Sequence, residues 1–190
     1  MVSHQSDGYS RRGLEYASAE DFCRIFHQDM DVLYWLALTL TGEAGNAERC
    51  FLAGLDECRE GNAVFKEWAR SWTRRVVIKN AIRLVSPASG ATGSPAAVRL
   101  QEKLTSPAEV ALAALANLQP FDRFIFVMSV LEGYADRDCA TLLACSIVDV
   151  IAARLKALQE IGRTLQLSPT LQGTNHESQA SAALSEAEVA

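Results

Sequence analysis

Apolar side chains recur every three or four residues along most of the chain, the spacing of one helix face, and no stretch keeps the two-residue period of a strand. The clearest segment covers residues 118–158. Pro120 suits the first turn of a helix, where its missing N–H costs nothing. Phe121, Ile125, Met128 and Leu131 give that helix one buried face, and Gly133 supplies a residue tolerant of positive φ just past its end. Asp136 can cap a short helix centred on Ala140. Ser146 can cap the last helix, in which Ile147, Val150, Ile151, Leu155, Leu158 and Ile161 fall on one side. The layout is a helix-turn-helix preceded by a supporting helix.

Upstream, the same periodicity predicts a helix over about 19–39 closed by Thr41 and Gly42, a second over about 45–60 ended by Gly61 and Asn62, and a third over about 64–85. Residues 86–95 are rich in Ser, Pro, Gly and Ala and read as a flexible linker. The expected fold is therefore all-α. A mobile N-terminus (1–17), a helical domain (18–85), a linker (86–106), a helix-turn-helix domain (107–167) and a disordered tail (168–190) follow one another.

Composition and charge narrow the chemistry. Hydrophobic residues make up 49% of the chain, enough for real cores, yet no run of eighteen uncharged apolar residues offers a membrane span. The N-terminus lacks the apolar centre of a signal peptide, so the expected location is the cytoplasm. The net charge of −5 disfavours a general nucleic-acid binder, but residues 66–83 hold six basic groups against one acidic. Lys66, Arg70 and Arg74 are four apart and form one stripe, extended by Arg75, Lys79 and Arg83. Such a stripe can follow a phosphate backbone or can be an ordinary solvated face. Phe65, Trp68, Trp72 and Val76 lie opposite and read as core.

Five cysteines (Cys23, Cys50, Cys58, Cys139, Cys145) show no Cys-x-x-Cys pair and read as reduced, structural residues; Cys23 and His27 are four apart but nothing joins them locally. No phosphate-cradling glycine loop, nucleophile elbow or zinc-protease motif is present. No catalysis, cofactor or metal is expected.

The segment Leu118, Pro120, Arg123, Val127, Leu131, Glu132-Gly133-Tyr134, Asp138, Ala140, Leu142-Leu143, Cys145-Ser146, Val150, Arg154 and Ala157-Leu158 resembles the C-terminal promoter-reading domain (region 4) of bacterial RNA polymerase sigma factors of the extracytoplasmic-function type. A second match lies upstream in the right order. Phe22, Leu33, Leu36, Leu40-Thr41-Gly42, Asn46-Ala47-Glu48 and Val64-Phe65-Lys66-Glu67-Trp68, with Arg74 and Arg83, resemble the N-terminal sigma domain (region 2). The resemblance implies a transcription initiation factor that binds core RNA polymerase and promoter DNA and is a monomer outside the holoenzyme. An anti-sigma factor is a partner many such proteins have. It assigns Asn46, Glu48, Arg49 and Asp56 to polymerase, and Lys66, Arg70, Arg74, Arg75, Lys79 and Arg83 to the upstream promoter element. The turn and helix with Ser146, Val148, Asp149, Ala152, Ala153 and Lys156 are assigned to the distal element.

Two other readings stay open. If the large apolar residues of the last helix turn inward, Val148, Asp149, Ala152, Ala153 and Lys156 face DNA with a single cation, whereas direct readout needs side chains that reach base edges or phosphates. Arg154 falls towards the apolar face and is expected to snorkel or pair with a carboxylate. The chain then reads as a sigma-derived protein-interaction module that has lost specific DNA contact. A helical repressor with an unrelated N-terminal domain would instead dimerise on a palindrome.

Overall fold

The computed structural model describes residues 15–60, 63–89 and 107–167, and their ordered elements are helical. The sequence-predicted N-terminal segment up to residue 14, most of the linker (90–106) and the tail (168–190) lie outside the described residues. Two helix clusters result, one over about 19–85 and one over about 110–165.

The first cluster holds α1 (Ala19–Gln28), α2 (Met30–Thr41), α3 (Ala44–Arg59) and α4 (Ala69–Val85), with a single 3-10 turn (Lys66–Trp68) leading into α4. α1 begins at a reciprocal cap. The Asp21 amide donates to Ser18 Oγ at 3.2 Å and the Ser18 amide donates to Asp21 Oδ2 at 2.9 Å. The single helix expected over 19–39 is broken at Asp29, whose backbone leaves the helical region at φ −107° and ψ 20°. Arg70 of α4 donates to the Asp29 carboxylate at 2.5 Å and to Gln28 Oε1 at 2.7 Å, so the corner is held from across the bundle. α2 ends at Gly42, whose φ of +74° is the left-handed conformation a glycine adopts without a Cβ clash. α3 turns Ala47, Cys50, Gly54 and Cys58 inward. These small residues let it lie close to α4, where the Cys50 thiol donates to the Val77 carbonyl at 3.3 Å.

The second cluster holds α5 (Pro107–Asn117), α6 (Pro120–Phe126), a π-helical turn (Val127–Leu131), α7 (Asp136–Leu143) and α8 (Ile147–Leu167). Pro120 occupies the first turn of α6, as its missing N–H requires, and Gly133 takes φ +69° after the π turn. α7 reaches α8 through Ala144, Cys145 and Ser146, a tight helix-turn-helix connection. Ala144 adopts φ +51°, a conformation that costs an alanine about 1 kcal/mol. Ala135, rather than Asp136, stands at the N-cap of α7; the Asp136 carboxylate instead accepts from Arg154 of α8.

The buried side chains of the two clusters run together. Leu33, Leu36 and Leu40 of α2 belong to the same apolar core as Phe121, Phe124 and Ile125 of α6. A smaller core of Leu115, Leu118, Phe126 and Ala157 seats α8 on α5 and α6.

Candidate nucleic-acid interface

The approach to α4 is set by residues from the chain's N-terminal side. Tyr16 and Phe65 form an isolated antiparallel bridge, with the Ala17 amide on the Val64 carbonyl at 2.7 Å and the Lys66 amide on the Glu15 carbonyl at 2.8 Å. Their rings stack at 4.7 Å, and Trp68 meets Phe65 edge-on at 5.4 Å. Trp68 is pushed outward by this arrangement and is 57% exposed, not the core residue its spacing predicted; Trp72 is half-buried and Val76 fully so. The reason is local. Trp68 belongs to the 3-10 turn, whose three-residue repeat takes it off the buried face of α4.

Trp68 stands on the rim of an open cleft of about 810 Å³, lined also by Trp72, Arg74, Arg75, Glu132 and Tyr134. Arg74 of α4 donates to Glu132 at 2.8 Å across it. The Trp72 indole N–H is buried without a hydrogen-bond partner. Burial raises the Tyr134 phenol above its ordinary pKa, and the neighbouring Arg75 charge offsets part of that rise. The cleft therefore joins an exposed aromatic ring to a cation, the pair of groups that receives unstacked bases and their phosphates.

The six cations are not equivalent. Lys66 pairs with Glu15 at 2.8 Å, Arg70 with Asp29 at 2.5 Å, and Arg74 with Glu132 at 2.8 Å. Lys79 and Arg83 share Glu57 of α3 at 3.4 and 2.6 Å. Burial tends to raise the Glu57 carboxyl, but hydrogen bonds from Arg83 and Asn80 outweigh it and hold Glu57 below the usual range. Among the described residues no carboxylate pairs with Arg75. The Lys66–Glu15 pair, exposed on both sides, adds little stability, so a phosphate can displace that carboxylate at small cost. Glu132 and Glu57 are more buried and hold Arg74, Lys79 and Arg83 more firmly.

The last helix differs from the expectation in its rotation. Val150, Ala153 and Ala157 are the buried positions of α8, whereas Ile147, Ile151, Leu155 and Leu158 are exposed. Ala153, expected to face DNA, is 5% exposed and lies in the apolar core. Alanines at 153 and 157 let α8 lie close to its neighbours, and that close approach turns the larger side chains outward.

Ser146 and Asp149 form a reciprocal cap: the Asp149 amide donates to Ser146 Oγ at 3.1 Å and the Ser146 amide to Asp149 Oδ2 at 3.1 Å. Hydrogen bonds from the Ser146 side chain and backbone hold the Asp149 carboxyl below its ordinary pKa. Lys156 donates to Asp122 of α6 at 2.6 Å. Val148 and Ala152 are exposed but offer no polar group. Arg154 pairs with Asp136, as expected of a cation turned towards the apolar side.

On α3, Glu48, Arg49 and Asp56 are exposed and Asn46 is half-buried, and none of these four positions assigned to polymerase lines the cleft. Glu132, Tyr134 and Asp138 line the cleft although the sequence reading gave them no such role. Nothing in helical periodicity indicates a contact between segments some sixty residues apart. Among the described residues no group of three His, Cys, Asp or Glu side chains is placed to hold a metal ion, and no helix is long and apolar enough to cross a membrane. Neither a scan against protein-family models nor a search among curated proteins finds a match for this chain.

Proposed function

We propose that the chain is a transcription initiation factor of the sigma type, which binds core RNA polymerase through α3 and directs it to promoter DNA. DNA is held mainly by α4 and the cleft at its start, not by α8. The observation that carries this reading is the order of two devices: a four-helix bundle with its cations gathered on α4, then a tightly turned, reciprocally capped helix-turn-helix. Arg75 and Trp68 supply charge and an aromatic surface where strand opening needs them. The test is co-purification of the full chain with core polymerase. Retention that is lost on reversing the charges of Glu48 and Arg49 supports the reading; failure to bind core polymerase under low salt defeats it.

A second reading is a sigma-derived protein-interaction module without specific DNA contact. It is favoured by one observation, the aliphatic outward face of α8. It predicts polymerase binding with no sequence-specific, salt-dependent retention of any DNA fragment.

A further inference from the structure

We propose that the cleft between the two clusters is a binding site for a free purine nucleotide, its base stacked on Trp68, the edge of the base at Asp138 and its phosphate on Arg75. The inference goes beyond the sigma-type reading, because a free nucleotide needs neither polymerase nor an opened strand. The cleft, about 810 Å³, has the size of small-molecule sites and lies where they concentrate, between two packed units. One wall is the start of α4, with Trp68, Trp72 and Arg75; the other follows the π turn, with Glu132, Tyr134 and Asp138. The Arg74–Glu132 pair ties the walls together at 2.8 Å, so their spacing is set before any ligand arrives. The π turn serves the second wall. The Glu132 amide donates to the Val127 carbonyl, five residues back, at 2.9 Å, and such turns recur at functional sites.

Four groups in the cleft are unused by the fold. The Trp68 ring is 57% exposed. The Trp72 indole N–H is buried with no acceptor, and a buried donor of that kind calls for a partner. Among the described residues Arg75 forms no ion pair with a carboxylate, and Asp138 forms none with a cation. The Tyr134 phenol is raised mainly by burial but feels both charges, Arg75 lowering its pKa and Asp138 raising it, so the two border one space.

Together these groups select a class of ligand. A flat ring covers Trp68. An amino or imino N–H on that ring suits Asp138, which only accepts when ionised, and a ring nitrogen or carbonyl takes the Trp72 N–H. An anionic tail suits Arg75. A polyanion without a ring would leave Trp68 bare and meet Glu132 and Asp138 as like charges, and an apolar ligand would bury charges unpaired. A purine nucleotide supplies every part. A base on an opened strand has the same chemistry, and a nucleotide seated in the cleft would exclude it from Trp68.

Isothermal titration calorimetry of the full chain with AMP and GMP tests the proposal. At least one of them should bind with one-to-one stoichiometry and a dissociation constant on the order of 10–100 µM. UMP, with a smaller ring and no amino group, and ribose phosphate, with no base, should bind at least about tenfold more weakly. Trp68→Ala, Arg75→Ala and Asp138→Ala should each weaken the purine at least about tenfold, Trp68→Phe should keep most of the affinity, and circular dichroism checks that each variant is folded. A short single strand of DNA, titrated alongside, separates the two sources of the base. A strand that binds while neither purine nucleotide does up to about 1 mM would overturn the proposal and leave the sigma-type reading intact. Equal affinity for UMP or ribose phosphate, or purine binding indifferent to the Trp68 and Arg75 substitutions, would overturn it as well. Failure to bind core polymerase defeats the sigma-type reading and leaves the nucleotide site standing.

Discussion

The Arg123 side chain donates from Nε to the Leu40 carbonyl oxygen at 3.0 Å, joining α6 to the C-terminal end of α2. Its Nη2 reaches the Thr41 carbonyl at 3.2 Å, and Nη1 lies 3.4 Å from the carbonyls of Ala116 and Leu118 at the end of α5. A guanidinium that is 1% exposed thus finds backbone oxygens at the ends of two helices. Both ends present partial negative charge, which favours a cation there. Burial lowers the Arg123 pKa to about 10, so the group remains charged at neutral pH. This contact joins the two clusters through polar groups, as the Arg74–Glu132 pair does on the cleft side.

Arg123→Ala removes the donors and leaves four carbonyl oxygens without them. The expected loss is about 3 kcal/mol, from unsatisfied acceptors together with the cavity. For a chain of this size that corresponds to a fall of roughly 10 °C in Tm, measurable by calorimetry. Arg123→Lys should fall between, because an ammonium cannot span both helix ends.

Gly42 sits against the same guanidinium. A Cβ there would lie 3.0 Å from Arg123 Cζ, and the φ of +74° is itself strained for an alanine. Gly42→Ala should cost about 1–2 kcal/mol from the backbone alone and more when Arg123 must shift. In a double-mutant cycle with Arg123→Ala the glycine substitution should become less harmful. Strict additivity would separate the two effects.

The cap of α8 makes stability pH-dependent. Asp149 titrates below its ordinary value in the folded chain, held there by Ser146. The carboxylate form is therefore preferred in the folded state, so its contribution is complete above the unfolded pKa of ~4 and is lost as pH falls through the depressed folded value. Asp149→Asn should be less stable than the parent at pH 7, and the gap should narrow at a pH below the unfolded value of ~4. Chemical denaturation at the two pH values measures this. A gap that widened in acid would reverse the assignment.

DNA affinity should depend on α4. If Arg75 touches a phosphate, Arg75→Ala lowers the slope of log affinity against log salt by about 1, and Lys156→Ala leaves it unchanged. Filter binding or anisotropy titrations over a salt series give both slopes.

Much of this architecture was legible in the chain because it is locally encoded. Pro120, Gly133, Gly42 and the Ser146 cap lie where short-range rules place them, and α3 spans the residues its apolar spacing predicts, whereas α4, expected from about residue 64, begins only at Ala69 after a 3-10 turn. The break at Asp29 was not legible, since Arg70, which holds it, lies on another helix. The rotation of α8 was hidden for a different reason. Its large apolar residues outweigh Ala153 and Ala157 in any periodicity, although those alanines are what permits close packing. Arg123 and Asp122 do carry a signal: two charged residues within the apolar run from Phe121 to Met128 must find partners if the run is buried. The pairing of Arg74 with Glu132, and the cleft beside it, depend on how the two clusters meet, which local spacing does not encode.

Promoter-dependent transcription with core polymerase tests the central claim most directly. Genomic fragments would be transcribed with the parent chain, with Trp68→Ala and Arg75→Ala, and with Lys156→Ala. The account predicts discrete transcripts with the parent, at least about tenfold fewer with either cleft substitution, and no more than about a twofold change with Lys156→Ala, in line with the share of contacts that strand capture supplies. Transcripts absent with the parent, or present and lost only on altering Lys156, would contradict it.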